Sequence, residues 1–459
     1  MNRHKPNKIA WVGAGALIAL LWPVIGLAAG KGGFEGLDPS QESVLILLAI
    51  VGVAYLVTHL VLERVAERFG FVTGVEYIVL GAILGPAASY IPDVQPLIDD
   101  TTLGALTPAI VLGTGSLGLW GGLHFDFKKF GNLQFRALKS AMFISLTTLL
   151  VVVGVATAVL YYFWSPGTVV AAMPALLCVG TVAMVADTGP LRSMAAYLGA
   201  EGPATEFGAL VAGYCSAMGI TAFGLIFCFY NTTTVPFDVD PPFVWLVWFG
   251  IHLLLGSALG LVFATFLRRD FSDDKIITVV IGMVIFSSGF AYYLHLSPIF
   301  VNFILGVVLI NTGRHADHVE SRLRAIRRPL YIVLFFFAGA GWKTGNVAWW
   351  AFALVIVYVV LRRTGRLAGS LAATRIVSQQ TYGAGLGRAL LAPGALSVAM
   401  LLNFDQVFSG SPYAKVLYDG LLTAIVVTEI VAYPMTRSWL IDVADVAPPE
   451  QRKRQTEAG

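Results

Sequence analysis

Charge is what this sequence has least of. Only 12% of its 459 residues are Asp, Glu, Lys or Arg, against 57% hydrophobic, and the mean hydropathy is +0.77. Soluble domains carry roughly 25% charge, so this composition excludes a soluble globular protein. The net charge of +3 is too small to point to nucleic acid. Cysteine is scarce too. Cys178, Cys215 and Cys228 all fall in apolar stretches with neither metal-ligand nor redox spacing, which reads them as small buried hydrophobes. With no nucleophile–base set and no cofactor motif, neither enzyme chemistry, a bound cofactor nor a resident metal is expected.

Long apolar runs are what the chain has in abundance. A membrane helix needs about 20 mostly apolar residues, and spans are expected at 9–29, 43–63, 73–91, 103–123, 138–162, 168–190, 205–230, 242–267, 275–294, 296–312, 328–342, 347–369, 384–403 and 413–436. This divides the chain into an N-terminal hydrophobic segment (1–40), a transmembrane domain (41–440) and a short tail (441–459). The first run, with its basic head MNRHKPNK and exit LAAGKGG, reads either as a retained helix or as a signal peptide. Both readings put residue 40 outside.

Basic residues set the orientation of such a chain. With residue 40 outside, 27 of the 30 Lys and Arg residues fall on the cytoplasmic side, and only Lys31, Lys343 and Lys415 fall outside. A miscounted span would scramble that segregation. The expectation is a multi-pass protein of the cell inner membrane with its C-terminus in the cytoplasm.

A weak internal repeat accompanies the spans. EYIVLGAILGP (76–86) echoes PIFVNFILGVV (298–308), and LWGGLHF (119–125) echoes FAGAGWK (337–343), the copies entering from opposite sides. Inverted repeats are typical of secondary transporters, whose ion sites lie at Gly/Pro-interrupted helices in matching positions of the two halves. Two such interruptions occur here, VADTGPL with Asp187, Gly189 and Pro190, and LLAPGAL with Pro393 and Gly394. A carboxylate within a membrane helix is costly and faces a cavity or a partner, and low dielectric makes it give up its charge more readily, as a proton carrier must. Asp187 is therefore the candidate ion and proton site, unless it only caps the following half-helix or meets an arginine. Arg362 reads either as a counter-charge to an empty acidic site or as a topology-setting residue. Glu429, His59, His252, Asn302 and Asn311 read first as structural.

Several motifs, in order along 43–440, resemble the monovalent cation:proton antiporters (sodium/proton exchangers). They are GVEYIVLGAILGP, LGLWGGLHFDFKKF with His124 where an acid is usual, LSPIFVNFILGVVLIN, ESRLRAIRRPLYIVLFFFAGAGW, LRRTGRLAG with Arg362 and Arg366 in the basic positions, and TEIVAYPMTRSWL. The resemblance implies an all-α polytopic antiporter fold, here 13 core helices plus the N-terminal segment, with inverted repeats and two crossing broken helices. It also implies a homodimer that binds monovalent cations and protons. The family's Thr-Asp falls on Asp187, with Thr188 and Pro190 displaced, and its paired aspartates fall on Cys215 and Ser216. Here the chain departs from the pattern, for no Asp or Glu lies between Phe207 and Phe237. The chain is thus expected to exchange protons for sodium or potassium through Asp187, with Thr188, Cys215 and Ser216 completing the shell. Two alternatives are a transport-inactive sensor or scaffold subunit and a transporter of another solute.

Overall fold

The computed structural model describes residues 74–85, 98, 100–163, 166–200, 202–231, 240, 243–267, 273–312, 329–342, 349–376, 385–408, 410–411 and 413–443. The expected spans at 9–29 and 43–63, His59 and nearly all of the tail lie outside these residues. Every regular element among those described is helical: α1 (Val75–Leu84), α2 (Asp100–Ala105), α3 (Thr107–Leu123), α4 (Asn132–Phe163), α5 (Pro166–Met184), α6 (Gly189–Leu198), α7 (Pro203–Phe229), α8 (Val244–Phe266), α9 (Asp273–Tyr293), α10 (Pro298–Thr312), α11 (Pro329–Ala340), α12 (Trp349–Ile376), α13 (Leu386–Ala389), α14 (Gly394–Phe408) and α15 (Ala414–Asp442). Chain contacts divide into two units, Met1–Leu106 with Phe335–Asn346, and Thr107–Leu334 with Val347–Gly459.

Each unit contains a reciprocal glycine contact of its own. In the first, α1 lies on the C-terminal part of α11, where a Cβ on Gly81 would strike Phe336 O and one on Gly339 would strike Ile78 O. In the second, α3 lies on α10 in the same manner, with Gly118 against Ile299 O and Gly122 against Phe303 O. The repeat seen in the sequence thus pairs the first helix of each copy with the second helix of the other, as an inverted repeat requires. Small residues let membrane helices approach backbone to backbone.

The second unit is layered by burial. In the most apolar window of α4 and α8 only 22% of residues are buried, whereas in α7 61% are, so α7 runs through the protein and the other two lie at its periphery. Around α7, Phe207, Val211 and Ala212 pack with Leu191, Leu390 and Trp439.

Two expected spans are broken. Between α5 and α6 the residues 185–187 are non-helical, and between α13 and α14 so are 391–393. Pro190 follows the first break at the start of α6, where its missing N–H costs nothing. Gly394 takes φ +65 at the second, a left-handed conformation that glycine adopts without penalty. α15 continues past the expected 436 to Asp442. Arg437 ends the apolar run there, but Trp439 and Leu440 are fully buried and extend the helix by packing, which hydropathy does not register.

Gly118→Val drives a side chain into the α10 backbone and should cost at least about 1–3 kcal/mol, read as a fall in melting temperature in detergent. Gly154→Val, at an exposed position with no heavy atom within 4 Å of the added Cβ, leaves melting unchanged.

Candidate functional site

The two breaks cross. The backbone N–H of Asp187 donates to Ala392 O at 2.8 Å, tying one interruption to the other. Four helix ends meet there, and each would leave backbone groups unpaired if it stood alone.

At the severed end of α5 the chain supplies two arginines from α12. Arg362 and Arg366 are one helical turn apart and therefore share a face, and both are fully buried. Arg362 donates through Nη2 to Val185 O (2.7 Å) and through Nη1 to Val182 O (3.2 Å) and Tyr358 Oη (3.1 Å). Arg366 Nη2 reaches Ala183 O (2.9 Å), Met184 O (2.9 Å) and Val185 O (2.6 Å). Gly365 and Gly369 bring α12 close to α4 beside Thr148 and Ile144, which lets the arginines reach this far inward. Positive charge at a helix C-terminus is favoured, and here it satisfies carbonyls that lipid and protein would otherwise leave unpaired.

Carboxylates serve the opposite ends. Asp187 Oδ1 accepts from Gly189 N–H at 3.0 Å, capping α6. Glu429, 4% exposed on α15, accepts through Oε2 from Gly394 N–H at 3.2 Å, capping α14. Asp187 sits directly over Gly394, where an added Cβ would meet its Cβ and Oδ2 at 2.5 Å.

Two cavities adjoin this crossover. A narrow one of about 50 Å³ is lined by Asp187, Thr188 and Ser216, by Pro393 and Ala395, and by Trp120 and His124. A wide one of about 670 Å³ is lined by His124, Thr188, Arg192, Thr205, Glu206 and Tyr214 among others. Asp187 itself is part-buried.

The structure therefore brings Asp187, Thr188, Ser216 and Pro393 to one cavity, with Gly189 and Gly394 in contact with the Asp187 carboxyl. Pro190 is buried in the first turn of α6. Ser216, on the lining, donates to Ala186 O at 2.6 Å. Cys215 is placed elsewhere. It is fully buried, its thiol lies 3.9 Å from Ala141 O on α4 and beside Ser145 and Arg366, and it lies outside both linings. Arg362 and Arg366 hold carbonyls of the break.

The remaining polar residues knit helices together. His252 Nδ1 donates to Trp248 O (2.8 Å) and its Nε2 accepts from Ser297 N–H (3.1 Å). Asn302 bonds Ser287, Ser288 and Pro298 O. Asn311 fixes the turn after α3 through Phe125 O (2.7 Å) and Phe127 N–H (2.9 Å). Sequence reasoning gave Glu429 and His124 no part in the site. Only the TEIVAYP motif and the acid-to-His departure pointed their way.

Comparison with known proteins decides the family, for residues 52–441 match the family model described as sodium/hydrogen exchanger, transmembrane. The chain belongs to this sodium/hydrogen exchanger family. Its fold is that of a solved structure, the sodium proton antiporter MjNhaP1 from Methanocaldococcus jannaschii at pH 8, with TM-score 0.65 over 88% of this chain and 99% of that one. At 12% identity that likeness speaks for the fold alone. No curated protein matches the chain. Along its described length α7 carries Glu206 in its first turn, with Cys215 and Ser216 at mid-helix.

Replacing Arg366 by Leu strands the carbonyls of Ala183 and Met184, while Val185 O keeps Arg362, and should destabilise the protein by about 3 kcal/mol, measured as loss of thermal stability in detergent. Arg363→Gln, on the exposed face of the same helix, should stay within about 0.5 kcal/mol of the parent.

Proposed function

We propose that this exchanger-family chain carries out secondary-active exchange of sodium or potassium for protons across the inner membrane, by alternating access, with Asp187 as the shared proton and cation site. The observation that carries the reading is the position of Asp187. It is the carboxylate lining the narrow cavity, at the crossing of two broken helices, next to a vestibule wide enough for hydrated ions.

The site's chemistry supports a monovalent cation. Ser216 Oγ offers a hard oxygen donor on the lining that also holds the Asp187 carboxylate, and Thr188 stands beside them. Arg362 and Arg366 act as the counter-charge that keeps the crossover intact when the site is empty. Access from one side at a time is supported by the far end of α7. There Phe223, Phe227 and Phe408 follow one another at 5.0 and 5.4 Å between ring centres, and Phe404 stacks on Phe408 at 4.7 Å. The basic-residue distribution assigns the vestibule, with Arg192 at its wall, to the cytoplasm, along with the C-terminus. The homodimer implied by the family pattern goes with this reading.

The missing acids at 215 and 216 favour a second reading, a transport-inactive membrane sensor or scaffold built on the exchanger fold. A desolvated cation held by neutral groups alone is several kcal/mol less stable than one facing a carboxylate, so the whole task falls on Asp187.

Proteoliposomes carrying a pH dye separate the two. Sodium or potassium should evoke a pH response, and Asp187→Asn should abolish it. No response from the parent chain to either cation favours the scaffold reading, and flux that persists in Asp187→Asn removes this residue from the mechanism. Position-specific restoration gives a further expectation. Ser216→Asp faces the cavity and should lower the half-saturating cation concentration by about tenfold, an estimate for one added carboxylate at a partly screened site. Cys215→Asp faces Arg366 and should leave that concentration unchanged while raising the melting temperature.

A further inference from the structure

The cut end of α5 uses only some of the hydrogens that the two buried arginines offer. Arg366 donates to it through Nη2 alone. Its Nε and Nη1, with Nε of Arg362, are buried and have no hydrogen-bond partner among the described residues. The carboxylates that balance charge across the crossover are engaged elsewhere, Asp187 on α6 and Glu429 on α14. The groups that act electrostatically on Arg366 are Arg362, Cys215 and Tyr358, none of them an acid of the carboxylate kind. A guanidinium keeps its charge in a protein, and a buried charge without a partner in contact is costly.

The surroundings of these N–H groups add further donors. Cys215 on α7 lies beside both Arg366 and Ser145. Its thiol lies 3.9 Å from Ala141 O on α4 and gives its hydrogen to that carbonyl. Ala141 O is also the acceptor, one turn back, that a helical serine at position 145 would ordinarily use. Ser145 Oγ is instead buried with no hydrogen-bond partner. The sulfur offers only weak acceptor lone pairs, and the carbonyls of residues 182–185 are already taken by the other arginine nitrogens. Ala137, Ile144 and Ala212 pack around Cys215 as apolar neighbours. Side chains from α4, α7 and α12 thus bring a donor-rich set together in a setting that holds few acceptors.

Such a set selects its guest. A water would accept from the N–H groups, but its own two hydrogens would find little beyond sulfur. A compact monovalent anion accepts from every side, donates nothing and supplies the counter-charge. We propose that a halide-sized anion, chloride under cellular conditions, binds between Arg366, Ser145 and Cys215 as a fixed counter-ion. It fastens α12 to α4 and α7 behind the crossover and is not cargo. The site is separate from the Asp187 cavity and stands under either functional reading above.

Melting of the full chain in detergent tests it, with halide left out from solubilisation onwards. Sodium chloride, sodium bromide and sodium gluconate are compared at equal sodium concentration and ionic strength. Both halides should raise the parent's melting temperature above that in gluconate by roughly 2–4 °C, with saturation. Cys215→Asp places a tethered carboxylate beside Arg366 and should melt alike in all three salts. Ser145→Ala removes one donor to the ion and should need roughly tenfold more chloride for half the effect. Anomalous scattering from bromide-grown crystals of the parent should place an ion in contact with Arg366. Equal melting of the parent in chloride and gluconate overturns the proposal, as does a full halide response in Cys215→Asp. Should that variant fail to fold, Ser145→Ala and the bromide position decide. An unchanged chloride requirement in Ser145→Ala, or bromide bound only away from Arg366, then overturns the site.

Discussion

Cutting a helix inside a membrane is permitted only if something replaces the lost backbone bonds, and here two buried guanidinium groups do so. Arg362 and Arg366 together take up the carbonyls of residues 182–185. Without them the end of α5 would be a cluster of unpaired acceptors in a medium that offers none. The Asp187 amide bond to Ala392 O, the position of Asp187 and the narrow cavity all presuppose that this end stays open. The two positive charges also balance the two carboxylates, Asp187 and Glu429, that cap the opposite half-helices. Each charge at the crossover thus has a structural duty at a helix terminus, and the proposed transport role of Asp187 comes on top of its own.

The same arrangement separates the surroundings of two neighbouring residues on α7, Cys215 and Ser216. A carboxylate at position 215 would face Arg366, whose Nε and Nη1 have no hydrogen-bond partner among the described residues, whereas one at 216 would face the narrow cavity. Adjacent residues on a helix point about 100° apart, so the two positions lie in different environments. Cys215 leaves the buried Arg366 without a carboxylate beside it. Ser216 leaves Asp187 as the acid on the narrow cavity's lining, with a hydroxyl oxygen near it.

Architecture was largely legible in the sequence because it is dictated by one-dimensional signals. Apolar run lengths, the one-sided placement of Arg and Lys, and the paired Gly/Pro interruptions need no knowledge of contacts. Glycine spacing in EYIVLGAILGP and PIFVNFILGVV hinted at close helix approach, although the reciprocal partners needed the fold. The site was legible only in part. Asp187 stood out because an acid amid apolar residues is costly wherever it lies. That Arg366 meets carbonyls some 180 positions away, or that Glu429 reaches Gly394, depends on long-range packing that no local pattern encodes. Cys215 and Ser216 could not be told apart without the rotation of α7. His124 looked like a simple departure until two cavities were seen to share it.

The glycine seams carry a mechanical implication. Where α3 rests on α10, main chain touches main chain, with Gly118 and Gly122 offering no side chain that could change rotamer. Such a seam has no slack to slide, and the two helices travel as a single rigid strut. The displacement that any shuttling cycle demands must be taken up along boundaries lined by larger, re-packable groups, such as the phenylalanines joining α7 to α14.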